Sequence, residues 1–292
     1  AKDLPIVPKV TIDYDEINSV GKEIEYQFIA EILDPDSDEH QFHWDFGDDN
    51  TSTEQNPVHT FQVSDDHPFT VMVTVTDESG MEGYASCKVE VGPGGTSFPV
   101  TLSFVGDIML ARKFEYPGGI IPTQGVNAIF EPTLEIFGER ADISIANLEC
   151  PLTDAWENHP TKSIYFKGSP ENVSGLAFAG IDVVTLANNH IIDYLTPGML
   201  ETRQVLEQEG IKHSGAGETA YKAARPLFVS KSGVQFALLA ASDRHGQYNN
   251  YQPFLNAGYN KPGFYNLTEF NILKQINEVK DITDLIVMEW HN

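Results

Sequence analysis

Four apolar runs after residue 98 stop abruptly at residues that can hold a metal, and this shared pattern constrains the fold more than any other feature. Val100 to Val105 ends in Gly106-Asp107, and Ile143 to Ala146 ends in Asn147-Leu148-Glu149. Val183 to Ala187 ends in Asn188-Asn189-His190, and Leu285 to Met288 ends in Glu289-Trp290-His291. Short runs rich in Val and Ile, separated by stretches of helical pattern, read as buried parallel strands of an α/β layer fold. Ligands of such sheets gather beyond the carboxyl ends of the strands. Carboxylates, amides and imidazoles at those ends are hard or borderline donors suited to Mn, Zn, Fe or Mg.

Charge narrows the classes of partner. The formal charge is −25, and residues 1–92 hold 4 lysines and no arginine against 21 acidic residues. Phosphate neutralisation needs Lys and Arg, so the balance argues against a nucleic acid or an anionic membrane. No stretch approaches the roughly 18 apolar residues of a membrane span. The two cysteines, Cys87 and Cys150, fall in different expected domains, which argues against a disulfide, and neither belongs to a Cys-x-x-Cys pair. The N-terminus, Ala1-Lys2-Asp3, lacks an initiator Met and a signal peptide, as a cleaved or trimmed chain would. The chain stops at His291-Asn292, at the tip of an expected strand, which predicts an α/β domain incomplete at its C-terminal end.

Residues 8–92 alternate β-type runs with turn formers. Strands are expected at Ile24–Ile32, Gln41–Asp45, Phe69–Asp77 and Tyr84–Val91, with Val71, Val73 and Val75 on one face. Spacing of this kind suggests a β-sandwich. Phe42-His43-Trp44-Asp45-Phe46-Gly47-Asp48-Asp49, then Pro57-Val58-His59-Thr60-Phe61 and Val73-Thr74-Val75-Thr76-Asp77, resemble a PKD (polycystic kidney disease) domain. Asp49 stands where the Trp-Asp-Phe-Gly-Asp-Gly hallmark has its last Gly. The resemblance implies an immunoglobulin-like sandwich used as an extracellular spacer or adhesion module, with Trp44 in the core. Asp45, Asp48 and Asp49 read as a solvated turn, with calcium binding as the alternative. His40, His43, His59 and His67 lack ligand spacing and read as structural or surface residues.

The expected organisation is therefore a β-sandwich over 1–92, a Gly-rich linker over 93–98, and an α/β domain over 99–292. Two helices are marked in the latter. One has Thr196 as N-cap, Pro197 at its first position, an apolar stripe of Met199, Leu200, Val205 and Leu206, and Gly210 as terminator. The other, over about 267–280, has Asn266 as candidate cap with Glu269 three positions on.

Asp107, Glu149, Asn188, Asn189, His190 and His291 together offer the donors of a two-metal hydrolytic site. Paired ions lower the pKa of bound water and clamp the oxygens of a displacement at phosphorus. His190 is placed to give a proton to the leaving oxygen. Taken singly, each has a plainer reading. Asp107 suits a helix cap, Glu149 an exposed loop, the Asn pair a left-handed turn, and His190 a hydrogen-bonded structural role. All of these would have to hold independently, so a shared site is the better reading.

The same residues carry a second resemblance. Ser103-Phe104-Val105-Gly106-Asp107-Ile108-Met109-Leu110, Ala146-Asn147-Leu148-Glu149-Cys150-Pro151-Leu152, and Gly180 through His190, with Asp193-Tyr194 and Gly215-Ala216-Gly217, are similar to the bacterial capsule-synthesis CapA-like family. That family is associated with poly-γ-glutamate capsule biosynthesis and is related to calcineurin-like metallophosphoesterases. The resemblance implies an α/β/β/α sandwich with a dinuclear centre of divalent ions (Mn, Zn or Fe) between strand tips. By position, Asp107 corresponds to the first metal-binding aspartate, and Glu149 to the bridging carboxylate. Asn189 corresponds to the metal-ligand asparagine, His190 to the acid, and His291 to the histidine of the next strand-end motif. The phosphoesterase Asp-x-His motif reads Asp107-Ile108-Met109 here, and the downstream Gly-His-x-His motif would lie past residue 292.

Around these, Asn188, Lys167, Arg244 and His245 are candidates for substrate contact, Gly168 lies beside Lys167, and Tyr248, Tyr251, Phe254 and Tyr259 form an aromatic loop. Two functions follow from the resemblance. One is an exported or cell-surface metal-dependent phosphoesterase acting on a phosphoester or an anionic polymer such as poly-γ-glutamate. The other is a non-catalytic protein for assembling, anchoring or adhering to such a polymer.

Overall fold

The computed structural model describes residues 6–63, 68–91 and 99–292; the expected linker 93–98 and His67 lie outside the described residues. Two compact units divide the chain: residues 1–99 with 228–237 and 279–286, and residues 100–227 with 238–278 and 287–292.

In the first unit, seven strands precede residue 90. They are β1 (Lys9–Val20), β2 (Glu23–Leu33), β3 (His40–Asp45), β4 (Thr51–Ser52), β5 (Val58–Gln62), β6 (Phe69–Asp77) and β7 (Glu82–Val89). They form two antiparallel sheets, β1-β2-β5 and β4-β3-β6-β7. Strand β1 was not among the expected strands, although Val10, Ile12 and Tyr14 alternate with Thr11, Asp13 and Asp15 along its inward half. Trp44, Phe28, Phe61, Val71, Val73 and Val75 are fully buried in one core. Trp44 satisfies its indole by donating to Glu54 O at 2.9 Å.

The turn after β3 explains the module's signature. Gly47 has φ +77°, and a Cβ there would stand 2.7 Å from Thr70 O. Asp49 has φ +66°, a left-handed conformation that Asp tolerates, so it replaces the hallmark glycine without changing the turn. Asp45 accepts from Gly47 N, and Asp48 accepts from Asn50 N and pairs with His59 Nε2 at 2.8 Å. His59 also stacks on Phe46 at 3.9 Å, and His40 pairs with Asp34. These carboxylates are thus engaged in holding the turn.

The second unit begins with a four-stranded parallel sheet. Its strands are β8 (Leu102–Ile108), β9 (Ile143–Leu148), β10 (Val183–Thr185) and β11 (Lys212–Ser214), in the order β11-β10-β9-β8. The remaining strands are β12 (Ala216–Gly217), β13 (Leu227–Lys231), β14 (Val234–Ser242), β15 (Gly263–Phe264) and β16 (Leu285–His291). Of these, β12 pairs with β15, and β13-β14-β16 form a further sheet. Among the described residues, the connections hold α1 (Ile120–Gln124), α2 (Asn127–Phe130), α3 (Val173–Phe178), α4 (Leu195–Gln208), α5 (Ala220–Ala223) and α6 (Glu269–Val279).

Leu110, Leu148, Leu152, Leu176, Leu186 and Ile191 are fully buried in this unit's core, each contributing about 1.5–3 kcal/mol. Gly215, at φ +94°, lets β14 approach the parallel sheet. A Cβ there would meet Ala187 Cβ at 2.7 Å and Ala240 Cβ at 2.8 Å.

Both helix starts differ from expectation. Helix α4 is capped at Tyr194 with no side-chain bond, which places Thr196 inside the helix. Its buried stripe is Met199, Thr202 and Leu206, while Leu200 is exposed. Thr202 enters the stripe because its hydroxyl bonds Gly198 O and accepts from Leu152 N. At the start of α6, Thr268 rather than Asn266 takes the cap, accepting from Asn271 N at 3.1 Å. Cys87 and Cys150 are both free thiols.

Candidate metal centre

The strand ends converge through one irregularity of pairing. Between β8 and β9 the register shifts after Val105, so that Gly106 bulges and Asp107 lies opposite Asn147. Asn147 in turn lies opposite Thr185 on β10. Asn147 is buried and organises the acidic ligands around it. Its Nδ2 donates to Asp107 Oδ1 at 2.8 Å and to Glu149 Oε2 at 2.6 Å. Its Oδ1 accepts from Asn188 Nδ2 at 2.9 Å.

His291 approaches from β16. Its Nε2 lies 3.1 Å from Asn189 Oδ1 and 3.4 Å from Glu149 Oε1, and its Nδ1 lies 3.8 Å from Asp107 Oδ1. Among the described residues, one donor atom each from Asp107, Glu149 and His291 falls within 4.8 Å of the others. Asn189 Oδ1 adds a fourth donor at the His291 side. Asp107 is exposed and Glu149 is buried, so the cluster has one face open to solvent.

The electrostatics suit a cation. Burial, then the nearby Asp107 carboxylate, pushes Glu149 up to about 8. Burial lowers His291, and burial also raises Glu289 on the same strand. A divalent ion would reverse the penalty on Glu149, because a bound cation favours the ionised ligand. Two carboxylates, an imidazole and an amide oxygen are an accepted donor set for such an ion.

His190 stands beside this cluster. Its ring stacks on Phe166 at 3.9 Å, its Nδ1 lies 2.7 Å from Asp193 Oδ2, and its Nε2 lies 3.9 Å from Glu149 Oε1. Asp193 is fully buried, accepts from Phe166 N at 2.7 Å, and pairs with the ammonium of Lys162. Lys162 Nζ also donates to Asn189 O at 2.6 Å. One buried lysine therefore ties the backbone of Asn189 to the carboxylate that orients His190. Burial lowers the pKa of His190, against the pull of Asp193.

The remaining candidates are distributed unevenly. Asn188 is fully buried, donates to Asn147 Oδ1 and Leu148 O, and accepts from His190 N and Ile191 N. Its amide is thus engaged in shaping the turn that presents Asn189 and His190. Lys167 Nζ sits over the rings of Trp156 and Tyr194 at 5.0 and 5.1 Å and donates to Ala155 O. Gly168 serves close packing, since a Cβ there would stand 2.4 Å from Leu110 O. Arg244 and its neighbour Asp243 lie close enough to act electrostatically on His291. His245 packs edge-on to Phe254 and accepts from Gln247 N. In the aromatic loop, Tyr248 is exposed, whereas Tyr251 packs against the core and the His159 ring.

Fold and site together define a protein of two parts, an all-β PKD domain followed by an α/β domain with a parallel sheet and a candidate metal centre at its strand ends. The chain belongs to the bacterial capsule synthesis protein PGA_cap family, whose model matches residues 101–292, and a PKD domain model matches residues 7–91. Relatives include the capsule biosynthesis protein CapA of Bacillus anthracis, 27% identical over 199 residues, covering 66% of this chain and 46% of that protein. The PGA biosynthesis protein CapA of Bacillus subtilis is 28% identical over 194 residues, covering 66% of this chain and 48% of its own. The matched stretch thus spans under half the length of either relative. A crystal structure of the PKD1 domain from the Vibrio cholerae metalloprotease PrtV is 24% identical, with a TM-score of 0.25, covering 30% of this chain and 100% of that one.

Proposed function

We propose that this protein is a metal-dependent phosphoesterase-type hydrolase acting at the cell surface in the making of an anionic polymer such as poly-γ-glutamate. In this reading, residues 1–92 serve as a spacer and residues 99–292 carry the chemistry. The observation that supports it most is the convergence of Asp107, Glu149, Asn189 and His291 beside a histidine whose far nitrogen is held by a buried carboxylate. The relatives' names support the polymer. Among the described residues no helix is long and apolar enough to cross a membrane.

A divalent ion held by Asp107, Glu149, His291 and the amide oxygen of Asn189 would supply Lewis acidity and a bound water of lowered pKa. The chain's own residues do the rest. Asp193 accepts a hydrogen bond from Nδ1–H of the protonated His190 ring, which leaves Nε2–H facing the cluster. From there Nε2 delivers a proton to the leaving oxygen of a phosphoester. Phe166 covers one face of the imidazole and fixes its plane. Met109 stands where the related phosphoesterases carry a ligand histidine, which favours a non-catalytic polymer-assembly or anchoring role as the second reading.

Elemental analysis after dialysis against trace Mn and Zn, with turnover of p-nitrophenyl phosphate measured on the same samples, separates the two. Near-stoichiometric metal with turnover, both lost in Asp107→Ala, is the expected result. Metal without turnover favours the assembly role. Neither metal nor turnover sinks the hydrolase reading.

A further inference from the structure

Arg112 stands out once the residues around His190 are placed. It has φ +59°, a left-handed backbone that is strained for a residue with a long side chain. Its segment is held in that shape from both ends. Asn172 Nδ2 donates to Leu110 O at 3.2 Å and to Glu115 Oε1 at 2.8 Å, and Ser169 N donates to the same Glu115 oxygen at 2.8 Å. Gly168 allows the two segments to touch at Leu110 O. Arg112 O accepts from both Glu115 N and Tyr116 N at 3.0 Å.

This pinned loop delivers the guanidinium to the Phe166 ring, 4.9 Å from its centroid, and the same ring stacks on His190. Arg112 is exposed, and among the described residues its side chain makes no ion pair or hydrogen bond. In a chain with 43 acidic residues against 18 basic ones, an arginine beside an acidic cluster that is left without a carboxylate is conspicuous. Its fork of N–H donors matches the geometry of a phosphoryl group, and the aromatic ring fixes its plane without consuming those donors.

We propose that Arg112 receives the non-bridging oxygens of the substrate's phosphoryl group and holds them beside His190. The inference rests on the hydrolase reading above and adds a substrate-binding residue to it. Strained backbone, held by five hydrogen bonds and a glycine contact, is the cost of presenting the guanidinium at this spot. Phe166 acts as a shared platform, so the binding cation and the proton donor are set at a fixed separation.

The test is calorimetric titration of inorganic phosphate into the Mn-loaded chain, comparing wild type, Arg112→Ala and Arg112→Lys, with metal content and p-nitrophenyl phosphate turnover measured in parallel. The expected result is weaker phosphate binding in Arg112→Ala by about tenfold or more, with unchanged metal content and partial recovery in Arg112→Lys. Equal phosphate affinity in wild type and Arg112→Ala overturns the proposal, even if turnover shows the hydrolase reading to be right. Absence of phosphate binding in the wild type overturns it as well. Arginine-dependent phosphate binding without turnover keeps this site and removes the hydrolase reading.

Discussion

Lys162 and Asp193 form an ion pair with 2% and 0% of their side chains exposed, and neither partner stands in a regular strand or helix. A buried pair is costly to break from one side, because the remaining charge loses its partner in a poorly solvated place. Lys162→Met is expected to destabilise the α/β unit by about 3–5 kcal/mol, and Lys162→Met with Asp193→Leu by less than the two single changes added together. Urea denaturation of the three variants checks this. Additive losses would show that the pair does not act as a unit.

Asn147 supplies hydrogen bonds to two candidate ligands without itself being one of them. Asn147→Ala is expected to weaken Mn binding by about 10- to 100-fold while leaving the fold intact, since Asp107 and Glu149 would lose the amide that orients both. Competition with a chelator of known affinity measures it. Unchanged affinity would mean that the metal, not the amide, sets the carboxylate positions.

In the PKD domain, acid should act through Asp48. Burial raises its pKa, but the hydrogen bond and charge of His59, with two bonds from Asn50, outweigh burial and leave it below the ordinary 3.8. A depressed folded value means that the stabilisation is fully present above pH 3.8 and is lost as the pH falls through the folded value. Asp48→Asn should therefore lower stability at neutral pH and flatten the decline in the acid range. Hydrogen exchange of peptides covering β3 to β5, corrected for the intrinsic pH dependence, reports it. An identical acid decline in the variant would remove Asp48 as its source.

Gly215→Ala places a methyl group where Ala187 and Ala240 already meet the backbone and where φ is +94°. Overpacking and backbone strain together should cost roughly 2–4 kcal/mol, seen as a lower unfolding midpoint. Gly210→Ala, with φ +73° but open space around it, should cost less.

Asp107, Glu149, Asn189 and His291 were legible in the sequence because each ends an apolar run, and a strand's end has a defined place in an α/β sheet. Asn188 looked equivalent to Asn189 on that criterion. Only the backbone shows that one amide is consumed by the turn while its neighbour points outward. Lys162, Phe166 and Arg112 lie in irregular segments, where no periodicity links a residue to its surroundings. A lysine buried by a partner 31 positions away leaves no local signal. In the sandwich, β6 was clear because Val71, Val73 and Val75 alternate with Thr70, Met72, Thr74 and Thr76, whereas β1 was not, because its second half is exposed and loses the alternation.

The bulge at Gly106 makes the centre depend on a count of residues as well as on their kinds. Removing Gly106 while keeping Asp107, Glu149, Asn189 and His291 would leave Val105 opposite Ala146 and Asp107 opposite Asn147, but without the local bend and twist by which the bulge aims Asp107 at the other three. Sequence variation in this segment should therefore be constrained in length before it is constrained in composition. A one-residue deletion here would be as damaging as the loss of a ligand, although it alters none.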